Sequence, residues 1–351
     1  MQEAVADHDN NRGGSSSETT VASLMIAAAA SGKSEDVKVL IDLKADINAA
    51  GEYGKTALIA AAYFGKSDST MKVLLSLKAD VNSADEYGRT ALMYAARSEE
   101  FDAVKMLIEH KADVNAADND KETALMAAAN FGKSEAVKVL VDFRADVNGA
   151  DNNDRKTVLM AAAETGQSEV VKVLVELRAD VNAVDKNGMT ALMLAAHQGR
   201  SEAVKVLVTL LGADLNAVDK NGITALIIAA GSGQSEAVKV LFELRADVNL
   251  VDGFGGTALM LAAVCGHSEA VKVLISLGAD INAANQEDGR TSLIYAAHEG
   301  ELEAVKVLVE HRADVNAVDN EGKTALNWAE EENQSDIAAF LQELEHIFII
   351  E

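Results

Sequence analysis

The sequence predicts an all-α solenoid of about ten helix-turn-helix units joined by β-hairpin-like loops. The tetrapeptide Ala-Asp-(Val/Ile/Leu)-Asn occurs nine times in 351 residues, at spacings of 33 or 34. A Thr, a small residue and Leu follow ten or eleven residues after each Asp. Such a register indicates stacked copies of one supersecondary unit. The nine threonines are Thr56, Thr90, Thr123, Thr157, Thr190, Thr224, Thr257, Thr291 and Thr324.

Residues 123 to 148 show how one unit is built. Thr123 is a suitable N-cap for an alanine-rich first helix, and Gly132 supplies a positive-φ stop after it. Ser134 is predicted to cap a second helix, whose apolar residues follow helical spacing. Arg144 closes that helix near the negative end of its dipole. The Ala-Asp-Val-Asn segment and the polar residues after it predict a hairpin-like tip before the next Thr.

This pattern resembles the ankyrin repeat, over residues 23 to about 345. The family's Thr-Pro-Leu-His is present as Thr-Ala-Leu-Met in four units and Thr-Val-Leu-Met in a fifth, and Pro is absent from the chain. The Gly that the family carries before Ala-Asp is replaced in seven units. A left-handed conformation there would cost each L-residue about 1 kcal/mol relative to Gly. These residues are Lys44, Lys78, Lys111, Arg144, Arg178, Arg245 and Arg312.

Three segments are predicted along the chain. Residues 1–20 form an acidic, disordered tail. Residues 21–345 form the repeat domain, in which 324–345 are a polar C-terminal cap. Residues 346–351 form an apolar tail, which either folds back over the last helix pair or docks elsewhere.

Four insertions lengthen a unit from 33 to 34 residues. Two fall in tips, at Asn153–Lys156 and Gln286–Arg290, where an extra residue is easily tolerated. A third lies between the helices of the second unit, near Ser69. The fourth, near Leu210 and Leu211, is expected to rotate, bulge or bend the second helix of the sixth unit.

Composition narrows the classes of partner. There are 31 Lys and Arg against 56 Asp and Glu, a net charge of −25, which disfavours nucleic acid and anionic membrane surfaces. The single cysteine, Cys265, cannot form an internal disulfide. The acidic leader does not suit a signal peptide, and no apolar run reaches the roughly 18 to 20 residues of a membrane-spanning helix. A cytoplasmic or nuclear protein without membrane insertion is expected.

Motifs that could carry chemistry are explained by the repeat. Gly32-Lys33-Ser34 and its counterparts lack the earlier glycine of a phosphate-binding loop. The seven histidines are scattered, with no i, i+4 metal pair, and no partner histidine in a pocket accompanies Cys265. We therefore expect no catalytic residues, cofactor, metal or small-molecule substrate, and a protein that is not an enzyme.

Aromatic residues mark the candidate binding surface. The resemblance implies that partners contact the hairpin tips and the concave face of the first helices. Seven of the 14 aromatic residues lie between residues 53 and 131, and rigid aromatics are common interface anchors. Gap-filling in the core is the alternative; it suits Phe101 most and the tip tyrosines least. The candidate contact residues are Tyr53, Tyr63, Phe64, Tyr87, Tyr94, Arg97 and Phe131.

The sequence thus favours a non-catalytic scaffold or adaptor that binds a protein partner. A structural role, as a peripheral subunit or spacer in a larger assembly, is the alternative. The segments from each Ala-Asp to the next Thr carry −15 of the net charge. This acidic edge favours a partner with a basic surface, although solubility alone would explain the charge equally well.

Overall fold

The predicted all-α solenoid is confirmed. The computed structural model describes residues 16–65, 67–98, 101–151, 153–210 and 212–348, and in these ranges it contains helices but no extended strand. The first helices of the repeats are α1 (Ser16–Ala30), α3 (Ala57–Tyr63), α5 (Ala91–Ala96), α7 (Ala124–Asn130), α9 (Val158–Thr165), α11 (Ala191–His197), α13 (Ala225–Gly231), α15 (Ala258–Val264), α17 (Ser292–Glu299) and α19 (Ala325–Glu331). The second helices are α2 (Ser34–Asp42), α4 (Lys72–Ser76), α6 (Phe101–Glu109), α8 (Ser134–Asp142), α10 (Ser168–Glu176), α12 (Ser201–Thr209), α14 (Ser235–Glu243), α16 (Ser268–Ser276), α18 (Leu302–Glu310) and α20 (Ser335–Phe348).

The chain packs as two compact units. The first comprises the described residues up to Ala128 together with Lys138–Ala145, and the second comprises Ala129–Val137 together with the described residues from Asp146 onward. Within each unit, first helices pack on first helices and second helices on second helices of the next repeat. Each unit is therefore a stack of helix pairs, as the sequence repeat predicts.

The first helices from α3 to α17 are short, alanine-rich and largely buried. In α3, every residue from Ala57 to Ala62 is buried, because small side chains allow neighbouring helices to approach closely. The predicted Thr cap is confirmed, since Thr123 Oγ1 accepts a hydrogen bond from the backbone N–H of Met126 at 3.3 Å. The eight other repeats with a Thr make the same bond.

Methionine takes over a capping role in three repeats. The N–H of Thr157 donates to Met160 Sδ at 3.4 Å, while Thr157 Oγ1 accepts from the N–H of Met160. Thr190 with Met193 and Thr257 with Met260 repeat this reciprocal arrangement. It is a capping box in which a weak sulfur acceptor stands in for the usual Glu or Gln.

The predicted Ser cap of the second helices is wrong. Ser134 is the first residue of α8 itself, and in α10 the N-cap residue is Gln167, which makes no side-chain capping bond. The N–H of Val171, which a Ser168 cap would bind, already bonds to the carbonyl of Gln167 at 2.9 Å. The N-cap side chain instead reaches the preceding repeat: Arg200 Nε donates to the carbonyl of Glu164 at 3.2 Å.

The second helices end in a left-handed residue. All seven Lys and Arg residues before Ala-Asp have φ between 66° and 80°, and the other two repeats place Gly212 and Gly278 there. After α14, the N–H of Arg245 bonds to the carbonyl of Phe242 and that of Ala246 to Leu241. This Schellman ending satisfies the last helical carbonyls, at the conformational cost of a non-glycine residue.

The Asp-x-Asn motif links successive repeats. Asp80 Oδ1 accepts from the N–H of Asn82 at 3.0 Å, which fixes the local turn. Asn82 Oδ1 accepts from the N–H of Asp113 in the next repeat at 2.8 Å, and Asn82 Nδ2 donates to the carbonyl of Lys111. The same bond, from the N–H of an Asp to Oδ1 of the Asn in the preceding repeat, recurs in both units.

Two insertions are accommodated differently from the prediction. The one near Ser69 forms a π-helical turn, Ser67–Met71, that leads directly into α4. The one near Leu211 does not bend a helix. α12 ends at Thr209, and the N–H of Ala213 bonds to the carbonyl of Leu207, so the extra residue lies in a wider turn after the helix. Leu211 itself lies outside the described residues.

The ends of the chain also differ from the predicted boundaries. α1 begins at Ser16, inside the segment assigned to an N-terminal tail, and residues 1–15 lie outside the described residues. α20 continues to Phe348, inside the segment assigned to an apolar tail. Residues 349–351 lie outside the described residues.

Replacing Arg245 by Gly should stabilise the protein. Arg245 has φ 80°, and glycine adopts this conformation without the Cβ clash, so the free energy of unfolding should rise by about 1 kcal/mol. Urea denaturation followed by circular dichroism measures the change. Gly278→Arg is the matched control: a Cβ there meets nothing within 4 Å, so backbone strain alone should lower stability. Equal midpoints for both variants would contradict the argument.

Candidate functional site

Seven of the nine hairpin tips are held by an aspartate side chain; Gly51 and Asn285 occupy the same position in the other two. Asp85 Oδ1 accepts from the backbone N–H of Tyr87 at 3.0 Å and of Arg89 at 2.9 Å. Ala84 and Thr90 form an antiparallel bridge at the base of the tip. The same pair of bonds recurs at other tips. Because the backbone is fixed in this way, Tyr87 projects outward at the tip.

Two tip tyrosines form a stacked pair in the first unit. The Tyr53 and Tyr87 rings have centroids 6.5 Å apart and an interplanar angle of 27°. A backbone bond from the N–H of Glu86 to the carbonyl of Tyr53 holds the two tips together at 3.0 Å. The charge of Glu52 raises the pKa of Tyr53 above its ordinary value. The Arg89 guanidinium lies 5.6 Å from the Tyr87 ring centroid.

A second aromatic pair stands where α3 ends. The rings of Tyr63 and Phe64 meet edge to face at 4.9 Å, and Tyr63 also meets Tyr94 edge to face at 5.3 Å. The Lys55 ammonium lies 5.1 Å from the Tyr63 ring centroid, a cation–π distance. Tyr53, Tyr63, Phe64 and Tyr87 are 49%, 52%, 55% and 50% exposed. We call these four residues the aromatic surface.

Tyr94 does not belong to this surface, which corrects its selection as a contact residue. It is only 6% exposed, and its hydroxyl donates to Asp85 Oδ2 at 2.7 Å. Burial, together with the Asp85 carboxylate, raises the pKa of Tyr94 to about 12. Tyr94 is therefore a buried support that holds the tip aspartate on one side and Tyr63 on the other.

The same kind of bond to a tip carboxylate occurs twice in the second unit. The Tyr295 hydroxyl donates to Asp288 Oδ2 at 2.9 Å, and burial raises the pKa of Tyr295. The Trp328 indole N–H donates to Asp319 Oδ2 at 2.7 Å. Tyr94, Tyr295 and Trp328 all stand four residues after the capping Thr. A hydrogen-bonding aromatic at this position therefore acts within the fold.

Trp328 is also covered by cations. The Arg290 guanidinium and the Lys323 ammonium lie 4.0 Å and 3.9 Å from its ring centroid. Burial alone would raise the pKa of Asp319, but the N–H of Lys323, the Trp328 indole and Arg290 lower it overall. This arrangement closes the last repeat around a buried polar cluster.

The other two selected residues, Arg97 and Phe131, have different surroundings. Arg97 is the C-cap of α5 and is partly buried; with Arg89, Tyr94, Asp118 and Glu122 it lines a small hollow. Phe131 is half exposed but belongs to the second unit. Phe101, which the core-filling alternative suited most, is exposed, with the Lys105 ammonium 5.0 Å from its ring.

Comparison with known families decides what kind of chain this is. A family model described as ankyrin repeats matches residues 24–118, 115–185, 177–252, 208–285 and 259–349. The chain belongs to the ankyrin-repeat family. No curated protein matches its sequence at a significant level. Ankyrin repeats generally mediate protein–protein interactions and are typically without catalytic activity.

Two residues of this ankyrin stack were missed by sequence reasoning. Phe254 is 57% exposed in the second unit and occupies the tip position that corresponds to Tyr87, two residues after the tip aspartate. Aligning the tips would have found it. Lys55 beside Tyr63 was also overlooked, although its position directly before Thr56 matches that of Arg89 before Thr90.

The described ankyrin repeats show little reactive chemistry. Over the described ranges, no group of three or more His, Cys, Asp or Glu side chains is placed to hold a metal ion. Cys265 is exposed, but partial burial and the charges of Glu301 and Glu299 raise the pKa of its thiol, which disfavours the nucleophilic thiolate. None of the described helices combines the length and apolarity needed to cross a bilayer.

Tyr94→Phe should destabilise the fold while leaving the aromatic surface in place. It removes the donor to Asp85 Oδ2, and a buried acceptor without its partner costs about 1–3 kcal/mol. Chemical denaturation measures the loss. Tyr63→Phe is the control, because Tyr63 is half exposed and its hydroxyl can be replaced within about 0.5 kcal/mol. Equal losses in the two variants would contradict a supporting role for Tyr94.

The contribution of Tyr94 should also depend on pH. Its pKa is raised from 10.0 in the unfolded chain to about 12 in the fold. Stability gained from the neutral phenol is therefore complete below pH 10 and lost as pH rises through about 12. The difference in unfolding free energy between the wild type and Tyr94→Phe should shrink over this range. A difference that stays constant up to pH 12 would exclude a raised pKa.

Proposed function

We propose that the protein is a non-catalytic scaffold or adaptor that binds a protein partner through the aromatic surface of its first unit. The observation that carries the proposal is the grouping of Tyr53, Tyr63, Phe64 and Tyr87, each about half exposed, along adjacent tips and a first-helix end. Large aromatic side chains supply most of the binding energy at many protein interfaces.

The rings are held in place before any partner arrives. Tyr53 and Tyr87 stack on each other, and Tyr63 is wedged between Phe64 and the buried Tyr94. Immobilising a flexible side chain costs about 0.5–1.5 kcal/mol on binding. Rings that are already supported lose less conformational entropy, which suits them to act as anchors.

Charges around the aromatic surface define the partner further. Exposed Glu52 and Glu86 directly precede the tip tyrosines, and the acidic edge as a whole carries −15. Opposite charge accelerates association and favours the correct orientation. The partner is therefore expected to present a basic surface to the tips and apolar side chains to Tyr63 and Phe64.

Quantitative affinity purification with matched variants tests this function. Alanine replacements of Tyr53, Tyr63, Phe64 and Tyr87 should remove a dominant protein partner while circular dichroism shows an unchanged fold. The control is Phe143→Ala with Phe254→Ala, two aromatics that are 49% and 57% exposed outside the aromatic surface. The control should retain the partner at wild-type stoichiometry.

Two other results would count against the adaptor function. Equal loss of the partner from both variants would mean that recognition is not specific to the aromatic surface. Retention at full stoichiometry by both variants would favour the alternative role as a structural subunit or spacer of a larger assembly, bound through another part of the chain.

A further inference from the structure

The first repeat leaves an apolar face open. α1 and α2 border a hollow of about 380 Å³. Its apolar part consists of Leu24, Ala27, Ala28, Val39 and Leu40, and Lys33 and Asp36 stand beside them. We call these seven residues the N-terminal face. Leu24 is 53% and Val39 56% exposed.

Other repeats bury the corresponding positions against a neighbour. Val206 and Val240, which correspond to Val39, are 3% and 2% exposed. Ala191 and Ala225, which correspond to Leu24, are each 1% exposed. The N-terminal face is thus the side of a repeat that is covered elsewhere in the stack, with aliphatic side chains still present on it.

Two residues depart from the repeat on this face. Leu24 stands where the nine later repeats have Ala, Val or Ser, and Asp36 stands where Ala203, Ala237 and Ala270 are fully buried. A repeat stacked in the usual register would collide with the larger Leu24 and would desolvate the Asp36 carboxylate. The face is therefore shaped for a contact other than one more stacked repeat.

The charges on the N-terminal face are self-complementary. Lys33 Nζ and Asp36 Oδ2 are 3.9 Å apart, and both side chains are well exposed. Arg200 corresponds to Lys33 in a later repeat, and its side chain extends to the preceding repeat, where it donates to the carbonyl of Glu164. In a twofold contact, Lys33 of each copy can pair with Asp36 of the other around a shared apolar centre.

The face of the last repeat does not fit the N-terminal face. There, Asn327, Glu330, Glu331 and Glu332 are exposed on and after α19. A head-to-tail contact would bury these carboxylates against Leu24 and Val39 without compensation. We infer that the N-terminal face binds the N-terminal face of a second copy of this chain, to form a closed, twofold-symmetric dimer.

Sedimentation equilibrium of the full chain at about 0.15 M salt tests this dimer, because long-range repulsion between the acidic chains is screened there. The wild type should show a concentration-dependent monomer–dimer equilibrium. Val39→Glu should shift it to monomer. Val318→Glu is the matched control: Val318 is 55% exposed but lies outside the face, so this variant should dimerise like the wild type.

Charge-exchange variants distinguish a specific contact between two N-terminal faces from non-specific self-association. Lys33→Asp and Asp36→Lys should each weaken self-association about tenfold or more, because like charges then face each other. An equimolar mixture of the two variants should form heterodimers as tightly as the wild type forms homodimers. Both substitutions are on exposed side chains, so folding is preserved and can be checked by circular dichroism.

Several results would overturn the inference. A wild type that stays monomeric up to about 100 µM, where a dimer with a Kd of about 10 µM or tighter would be mostly formed, would do so. Open-ended oligomers would contradict twofold closure. Variants of the aromatic surface should dimerise normally, so failure of the dimer and failure of the proposed adaptor function can be distinguished.

Discussion

The hydrogen bond from the N–H of one Asp-x-Asn aspartate to the side chain of the preceding asparagine supports the rest of the structure. Asn48 accepts from Asp80, and Asn82 from Asp113, both at 2.8 Å. Without it, a loop N–H between repeats would need another acceptor. The aspartate also fixes its own turn. The Asp-x-Asn motif therefore sets both the local turn of a repeat and its register on the next repeat.

The tip aspartates add a second constraint, on the residues that surround them. One oxygen of Asp85 and of Asp319 is occupied by tip backbone N–H groups. Each residue is only 6% exposed, so the other oxygen needs a donor inside the protein. Tyr94 and Trp328 supply it. Tyr94 and Trp328 are thus explained as hydrogen-bond donors to a buried carboxylate, and they are not available as contact residues.

Sequence predicted the parts of the structure that depend on local chemistry. Helix caps at Thr and the hairpin tips follow from backbone preferences of a few neighbouring residues. The different exposure of Tyr63 and Tyr94 could not be predicted in this way, because it depends on which side chain lies across the repeat boundary. Their different distances from the capping Thr, seven and four residues, were a signal that went unused. Likewise, the serine cap was wrong because the helix begins one residue earlier, so that the carbonyl of Gln167 already accepts from the N–H of Val171.

In a chain this periodic, the residues that point to function are those that break the period without being needed by the fold. Tyr94 breaks it, but the buried Asp85 accounts for it. Tyr63 and Phe64 break it and remain half exposed, although the Tyr63 ring meets those of Phe64 and Tyr94 and lies near the Lys55 ammonium. Leu24 and Asp36 break it on a face that stacking would otherwise bury. The repeat pattern explains neither pair, and we propose intermolecular contact as the role of both.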